Sequence, residues 1–375
     1  MKGIYIVYDQ VLAEGDTGIN RKIKSQIETF NKNELNCEMK LIYINDKIKG
    51  ISLWYRLPFF NLIPSWKNYE DFCDADYIYL RRPECMNGYM KKFFKNIKKK
   101  NPQIKILIEI PTYPYDQEIL NNEGKISINY PIYWKDSFWR KRLKGVVDRF
   151  VVLNDNLPML WDIPTIKINN GLLLENYSTR KPQKKDSIDL LAVAMFMSWH
   201  GYERIIEGLH TYYKQENNQK VYLHMVGTGE ELKHYKKLVE EYHLEEYVVF
   251  HGKKTQEELD EFYNICDIGL GSFGTYKIGI ELLKNLKSRE YMAKGLPIVT
   301  GCKMDVGEKL EPYYLEFQNN ESIVDINKIV DFYNNIYSNE KTEDVIKNIR
   351  MIAEKTISMN ACMLQVINYI KGTES

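Results

Sequence analysis

The chain has 375 residues, of which 44% are hydrophobic and 27% charged, and its formal net charge is +1. That length exceeds the roughly 250 to 300 residues at which one core stops growing, so two domains are expected, and the mixed composition excludes a disordered or fibrous chain. A net charge near zero gives no general attraction to nucleic acid, so an anionic partner has to be met by a local cluster.

Cys37, Cys73, Cys85, Cys266, Cys302 and Cys362 lie far apart, with no C-x-x-C pair and no metal-ligand spacing, which predicts free thiols in a reducing cytoplasm. Met1 to Asp9 runs straight into a strand pattern without the features of a signal peptide. No apolar run reaches the roughly 18 residues of a membrane span. The nearest, Ile51 to Trp66, is broken by Arg56, Pro58 and Pro64. A cytoplasmic protein, soluble or peripheral at the inner membrane face, is expected.

In chain order, short β-branched and aromatic runs alternate with segments of helical period, the pattern of an α/β protein with mostly parallel sheets. Strands are predicted at Gly3 to Tyr8, Met39 to Ile44, Tyr77 to Leu80, Ile104 to Ile110, Arg149 to Leu153 and Thr165 to Ile168. After the first strand, the loop Glu14 to Ile19 carries Gly15 and Gly18 ahead of a basic helical stretch, where a helix N-terminus can receive an anion and Gly18 lets a ligand approach. Its spacing is not G-x-G-x-x-G, which disfavours a dinucleotide; a plain turn is the alternative. Leu53 to Trp66 is rich in aromatics, and Lys91 to Lys100 places six lysines on one short helix. Together they make a candidate contact with an anionic membrane surface, against the alternative of a buried loop and a solvated helix face.

The polar stretch Ser178 to Ser187 reads as a linker, which puts an N-terminal domain at 1–177, a C-terminal domain at 188–355 and a last helix at 356–375. The alternation restarts with strands at Asp189 to Ala194, Val221 to Val226, Tyr247 to Phe250, Ile268 to Leu270 and Pro297 to Thr300. Behind the first comes Ser198 to Arg204, with His200 and Gly201 leading into a helix that starts near Arg204, a place suited to a phosphate unless Arg204 pairs with Glu207 instead. Gly227 and Gly229 follow the second strand and Lys253 the third, all at carboxyl ends of parallel strands, where open α/β sheets bind ligands. The most informative stretch, Gly269 to Gly301, reads as strand, glycine-rich loop, helix and tight turn, with Lys277, Glu281, Lys287 and Glu290. A carboxylate such as Glu290 can accept from two vicinal ribose hydroxyls, and Lys287 one turn earlier suits a diphosphate; a surface ion pair is the alternative.

At these residues the chain resembles the retaining glycosyltransferases of family 4, of the GT-B type. Lys287 to Gly301 is similar to that family's signature helix and following turn; the glycine motif at Gly227, the Val248 to Lys253 segment and Ile166 to Tyr177 match in order. Trp199 to Arg204, Lys287 to Tyr291 and Glu109 to Asp116 are closer still to a subgroup that builds bacterial surface polysaccharides such as capsule. The resemblance implies two Rossmann-like domains facing a central cleft, a C-terminal helix crossing back to the first, and transfer of a sugar from a nucleotide-diphosphate sugar to a glycan or lipid-linked glycan. It implies no cofactor and no metal, and no nucleic-acid partner.

On it, Glu290 takes the ribose role, and Lys287, Glu290 and Arg204 are the expected catalytic set. Gly18, His200, Gly201, Gly227, Gly229, Lys253, Lys277 and Glu281 complete the expected donor contacts. Leu282 stands where the family has its first glutamate, with Glu281 one residue away, and Met195 and His200 replace a basic pair, leaving Lys287, Arg204 or Lys277 to supply that charge. A histidine usual in the first domain is absent, so Glu109, Tyr113 and Tyr115 are the candidates for lining the acceptor site. A nucleotide-sugar epimerase and a noncatalytic nucleotide- or glycan-binding protein are the competing readings.

Overall fold

The computed structural model describes residues 1–8, 18–42, 66, 68–83, 85–121, 126–153, 157–183, 185–215 and 219–373. Of the predicted loop Glu14 to Ile19 only Gly18 and Ile19 fall within them, and of the aromatic stretch Leu53 to Trp66 only Trp66. The chain forms two units, residues 1–169 with 362–375, and residues 170–361.

The first unit contains β1 (Gly3–Tyr8), α1 (Gly18–Lys32), β2 (Cys37–Ile42), β3 (Tyr77–Arg81), α2 (Gly88–Lys100), β4 (Lys105–Ile110), α3 (Asp116–Asn121), α4 (Ile126–Arg140), β5 (Arg149–Val152), β6 (Met159–Leu160) and β7 (Ile163–Lys167). Its seven strands run in the order β2-β1-β3-β4-β5-β7-β6, parallel except for β6 against β7. β1 is buried along its whole length, as expected of a central parallel strand covered on both faces. Parallel neighbours need a crossover, and the crossover helices follow the apolar period. α2 turns Met90, Phe93, Phe94 and Ile97 into the core, and its first turn is capped by Asn87, whose side chain accepts from the amides of Tyr89 and Met90 at 3.0 Å. Trp66 is buried there against Tyr8, Phe93 and Phe94.

The second unit contains β8 (Ile188–Met195), α5 (Glu203–Tyr213), β9 (Val221–Thr228), α6 (Leu232–Glu241), β10 (Val248–Gly252), α7 (Gln256–Ile265), β11 (Ile268–Leu270), β12 (Leu282–Leu283), α8 (Leu286–Lys294), β13 (Ile298–Thr300), β14 (Lys303–Met304), α9 (Gly307–Leu310), β15 (Tyr314–Glu316), α10 (Ile326–Asn339) and α11 (Thr342–Thr356). A last helix, α12 (Met359–Lys371), lies in the first unit from Cys362 onward. The six-stranded sheet has the order β10-β9-β8-β11-β13-β15 and is parallel throughout, the doubly wound arrangement. β12 and β14 form a small parallel pair of their own.

The structure differs from the sequence reading at the linker. The boundary falls at residue 169, and the stretch from Ser178 is strapped onto the second unit. Arg180 is only 3% exposed; its guanidinium donates to the carbonyls of Cys266 at 3.0 Å and Gly295 at 3.3 Å and to the Tyr337 hydroxyl at 2.7 Å. A basic, proline-bearing composition reads as solvated, but here one cation satisfies carbonyls at element ends. Arg180→Ala leaves those groups unpaired and is expected to cost roughly 2–4 kcal/mol in urea denaturation. A loss under about 0.5 kcal/mol, the scale of ordinary surface substitutions, would show that the strap does not depend on it.

Candidate functional site

The second unit's strand order reverses between β8 and β11, and the crevice beyond the carboxyl ends of those two strands is where such sheets hold ligands. Two loops meet there. Phe273 donates its amide to His200 at 2.7 Å and Gly274 to Trp199 at 3.2 Å, which ties the loop after β11 to the loop after β8. The approach requires glycine: Gly201 has φ +63° and a Cβ on it would lie 2.4 Å from the Gly274 amide nitrogen. The turn after β9 closes in the same way, since a Cβ on Gly227 would lie 1.8 Å from the Ala194 carbonyl oxygen, and one on Gly229 2.2 Å from that of Phe196.

Lys287 stands at the start of α8, whose first turn is capped by Asn285 accepting from the Ser288 amide at 3.1 Å. Its ammonium donates to the Tyr202 hydroxyl at 3.0 Å and the Gly271 carbonyl at 3.1 Å, which places it at the switch point. Burial pulls its pKa down to about 7. His200 stacks on Tyr202 with ring centroids 5.8 Å apart, and its Nδ1 accepts from the Met197 amide at 3.0 Å. Burial and then the charge of Lys287 hold its pKa near 3, so the ring is neutral and its proton sits on Nε2, a donor without charge. Glu290, half-buried one turn after Lys287, accepts from the Tyr177 hydroxyl at 3.4 Å.

Thus His200, Gly201, Gly227, Gly229 and Lys287 come together around one crevice, with Glu290 on the same helix as Lys287. Other expected donor residues do not join them. Arg204 is 2% exposed, and its guanidinium donates to the carbonyls of Ser322 at 2.5 Å, Phe273 at 2.6 Å and Gln318 at 3.1 Å. It is a cross-brace beneath the loops, not a phosphate ligand, nor does it pair with Glu207 in place of these carbonyls. Lys277 is exposed and paired with Glu203 at 2.5 Å, and Glu281 is exposed. Lys253 is exposed at the end of β10, two strands from β8. Three contributors escaped the sequence reading: Tyr202, which meets Lys287; Tyr177, which meets Glu290; and Asn319, whose Oδ1 accepts from Thr275 and from the Tyr276 amide at 3.0 Å each and so shapes the glycine-rich loop. Tyr202 and Tyr177 lay inside segments that the sequence singled out, whereas Asn319 did not.

In the first unit, Gly18 opens α1. Glu109 is fully buried and receives the Tyr79 hydroxyl at 2.6 Å, the Gln26 amide at 2.7 Å, Lys22 at 3.0 Å and Arg81 at 3.2 Å. Tyr115 is also fully buried, donates to Asp136 at 2.9 Å, and has the Arg82 and Arg140 guanidinium groups over its ring at 4.0 and 5.2 Å. Neither is open to an acceptor, because both are enclosed by their own partners. Tyr113 is half-buried, edge-on to Trp161 at 6.1 Å. A cavity of about 390 Å³ does open at the carboxyl ends of β1, β3 and β4, lined by Tyr8, Ile19, Arg81, Arg82, Thr112 and Glu118 among others.

The match of residues 175–348 to the family described as glycosyl transferases group 1 covers nearly all of the second unit. Over 99% of both chains the structure is similar to a glycosyltransferase from Rickettsia africae ESF-5, at 13% identity and a TM-score of 0.59. It is similar to HepE of Anabaena in complex with UDP over 99% of this chain and 100% of that one, at 14% identity and a TM-score of 0.57. The lipopolysaccharide outer core galactosyltransferase WaaB is matched over 100% of both chains, at 14% identity and a TM-score of 0.55. The fold is that of the GT-B glycosyltransferases. No curated protein sequence matches the chain. The family match supports glycosyl transfer, and the GT-B frame puts the crevice around Lys287 in its second Rossmann-like unit.

Two pH effects follow. A diphosphate bound against Lys287, having no further ionisation near neutrality, would favour the charged form of the lysine and raise its pKa. Because the free lysine titrates near 7, affinity falls as pH rises above 7, by up to about tenfold per unit, and is flat in Lys287→Met. Isothermal titration calorimetry at several pH values reads this, and an equal slope in the variant would exclude Lys287 as the group. For Glu109, burial alone would raise the pKa, but Lys22, Arg81, Tyr79 and Gln26 more than reverse it, to about 2. A carboxylate depressed in the folded state stabilises above its unfolded pKa and loses that contribution as pH falls toward 2. Acid should therefore remove on the order of 3 kcal/mol through Glu109, and Glu109→Gln should lose a similar amount already at pH 7, read as denaturation midpoints across pH 7 to 3.

Proposed function

We propose that the protein is a retaining glycosyltransferase that moves a sugar from a nucleotide-diphosphate sugar to a glycan or lipid-linked glycan acceptor in bacterial surface polysaccharide synthesis. The observation that carries this reading is Lys287, a cation held at the switch point by Tyr202 and Gly271 inside the segment that matches the family. HepE has been solved with UDP and with UDP-glucose, and WaaB and WaaG act in lipopolysaccharide assembly, which supports a nucleotide-sugar donor and a surface-glycan acceptor.

In the proposed reaction the bond between the sugar anomeric carbon and the diphosphate oxygen breaks. Lys287, the His200 Nε2–H and the helix N–H groups stabilise the charge that gathers on the departing diphosphate. The acceptor hydroxyl attacks from the same face, its oxygen bonds to the anomeric carbon, and its proton passes to the diphosphate. Glu290 holds the ribose hydroxyls. Lysine, imidazole and helix dipole supply the positive potential, so the proposed mechanism uses no metal and no cofactor. Arg82 and Arg81, at the mouth of the first unit's cavity, together with Tyr113 and Thr112 are the groups we assign to the acceptor side.

The site of action we propose is the cytoplasmic face of the inner membrane, with the acceptor lipid-linked. Of the six lysines of α2, Lys92, Lys95, Lys99 and Lys100 are exposed, Lys100 pairing with Glu70 at 2.9 Å, while Lys98 is half-buried and held by Asp148 at 2.7 Å. Among the described residues no helix is long and apolar enough to cross a membrane.

Thermal stabilisation by a panel of nucleoside diphosphates and their sugars tests the donor site. A ligand at 100 times its Kd should add roughly 2.7 kcal/mol of stability, and Lys287→Met and Glu290→Gln should lose most of it. Release of nucleoside diphosphate with retained anomeric configuration, followed with the stabilising sugar nucleotide, tests the chemistry. Absence of stabilisation by every nucleotide would remove the reading.

A further inference from the structure

α4 is built the wrong way round for a helix facing water. Ile132, Lys135, Asp136 and Arg140 are its buried positions, 7%, 1%, 0% and 7% exposed, while Tyr130, Trp134 and Phe138 are 54%, 56% and 40% exposed. Two of the buried charges are consumed internally: Asp136 accepts the Met86 amide at 2.7 Å and the Tyr115 hydroxyl at 2.9 Å, and Arg140 pairs with Asp116 at 2.8 Å. The three exposed rings sit at every fourth position, on one face, over a rise of about 12 Å. A soluble helix ordinarily shows the reverse pattern, and a contiguous aromatic stripe of this kind marks a surface that is covered in use.

The charges around the stripe indicate what covers it. It runs into Lys141, Arg142 and Lys144, all exposed; the Arg142 guanidinium lies 3.5 Å over the Phe138 ring. Among the described residues Asp162, 3.9 Å from Lys144, is the acidic partner of these three cations. α2 abuts α4, since a Cβ on Gly88 would lie 2.6 Å from the Trp139 ring, and it brings exposed Tyr89 with Lys92, Lys95 and Lys99. Tyrosine and tryptophan with an apolar body and a polar tip, flanked by lysine and arginine, match the boundary between acyl chains and anionic headgroups. A protein groove would satisfy the rings but gives no reason for the run of cations Lys141, Arg142 and Lys144 at the end of the stripe.

We infer that the outer face of α4 lies in the headgroup layer of an anionic membrane, with Tyr130, Trp134 and Phe138 inserted and Lys141, Arg142 and the α2 lysines against phosphate groups. This rests on the membrane reading given under Proposed function, and adds the apolar anchor to it.

The test is flotation of the full chain with vesicles of phosphatidylcholine alone and of phosphatidylcholine with phosphatidylglycerol, at low and high salt. Expected is binding to the anionic vesicles that weakens with salt, and a loss of about tenfold or more in Trp134→Ser with Phe138→Ser, at positions exposed enough to leave the nucleotide response of the second unit unchanged. Lys92→Ser with Lys95→Ser and Lys99→Ser should weaken binding to anionic vesicles by a similar factor and keep quenching of Trp134 by brominated acyl chains in what remains bound. If wild type floats and the double aromatic variant floats equally well, the anchor is overturned while docking through lysines stands. If wild type floats with neither vesicle, both fall, and a dimer that the aromatic variant dissociates would assign the stripe to a second copy.

Discussion

A lysine ammonium that has lost most of its water is the interaction on which the second unit's site turns. Lys287 is held by one hydroxyl and one carbonyl, neither of them charged, and burial disfavours its ionised form. It can be held there only because the loops around it are rigid. That rigidity comes from backbone meeting backbone at Gly201, Gly227 and Gly229, and from Arg204, which binds three carbonyls from below. The site is therefore an arrangement of glycines and a buried arginine whose product is one cation of adjustable charge beside a neutral imidazole.

How much of this the sequence discloses depends on the kind of fact. The strand-helix alternation is legible because burial on both faces of a parallel sheet forces continuous apolar runs, and ten of the eleven predicted strands overlap observed ones wholly within the described residues, the other, Met39 to Ile44, overlapping β2 as far as Ile42. The placement of Lys287 and the glycines around one crevice, with Glu290 on the same helix, was legible because a motif fixes them by spacing on one element and its neighbouring turns. Arg204, Glu109 and Tyr115 were misread for one common reason. A polar side chain at a strand end or helix start has the same sequence signature whether it faces a ligand or carbonyls and charges brought from remote segments. Arg204 meets residues more than a hundred positions away, and Glu109 meets Lys22 and Gln26 across the sheet. Nothing in local pattern carries that. The linker failed likewise, because Arg180 is buried by segments from Cys266 to Tyr337.

The two units use buried charge in different ways. In the first, carboxylates are fixed by several donors: Glu109 by four, Asp136 by the Met86 amide, Tyr115 and Arg140. Networks that bring several donors to one carboxylate are rigid. In the second, the crevice keeps its titratable groups underpaired, so that Lys287 has its pKa brought near neutrality and His200 is held neutral. A group that is underpaired in the free state is one whose interactions can strengthen when charge develops on a ligand, the condition for stabilising a departing diphosphate more than the bound substrate.

The same contrast explains why α4 can present aromatic rings outward without unfolding the first unit. Asp136 and Arg140 give that helix inward polar bonds to Met86, Tyr115 and Asp116, so its attachment does not depend on burying the apolar stripe, as an amphipathic helix ordinarily would. Polar attachment frees the apolar face for another partner. The inverted polarity is thus one arrangement with two consequences: it seats the helix through charge, and it leaves Tyr130, Trp134 and Phe138 where water alone gives them no reason to be.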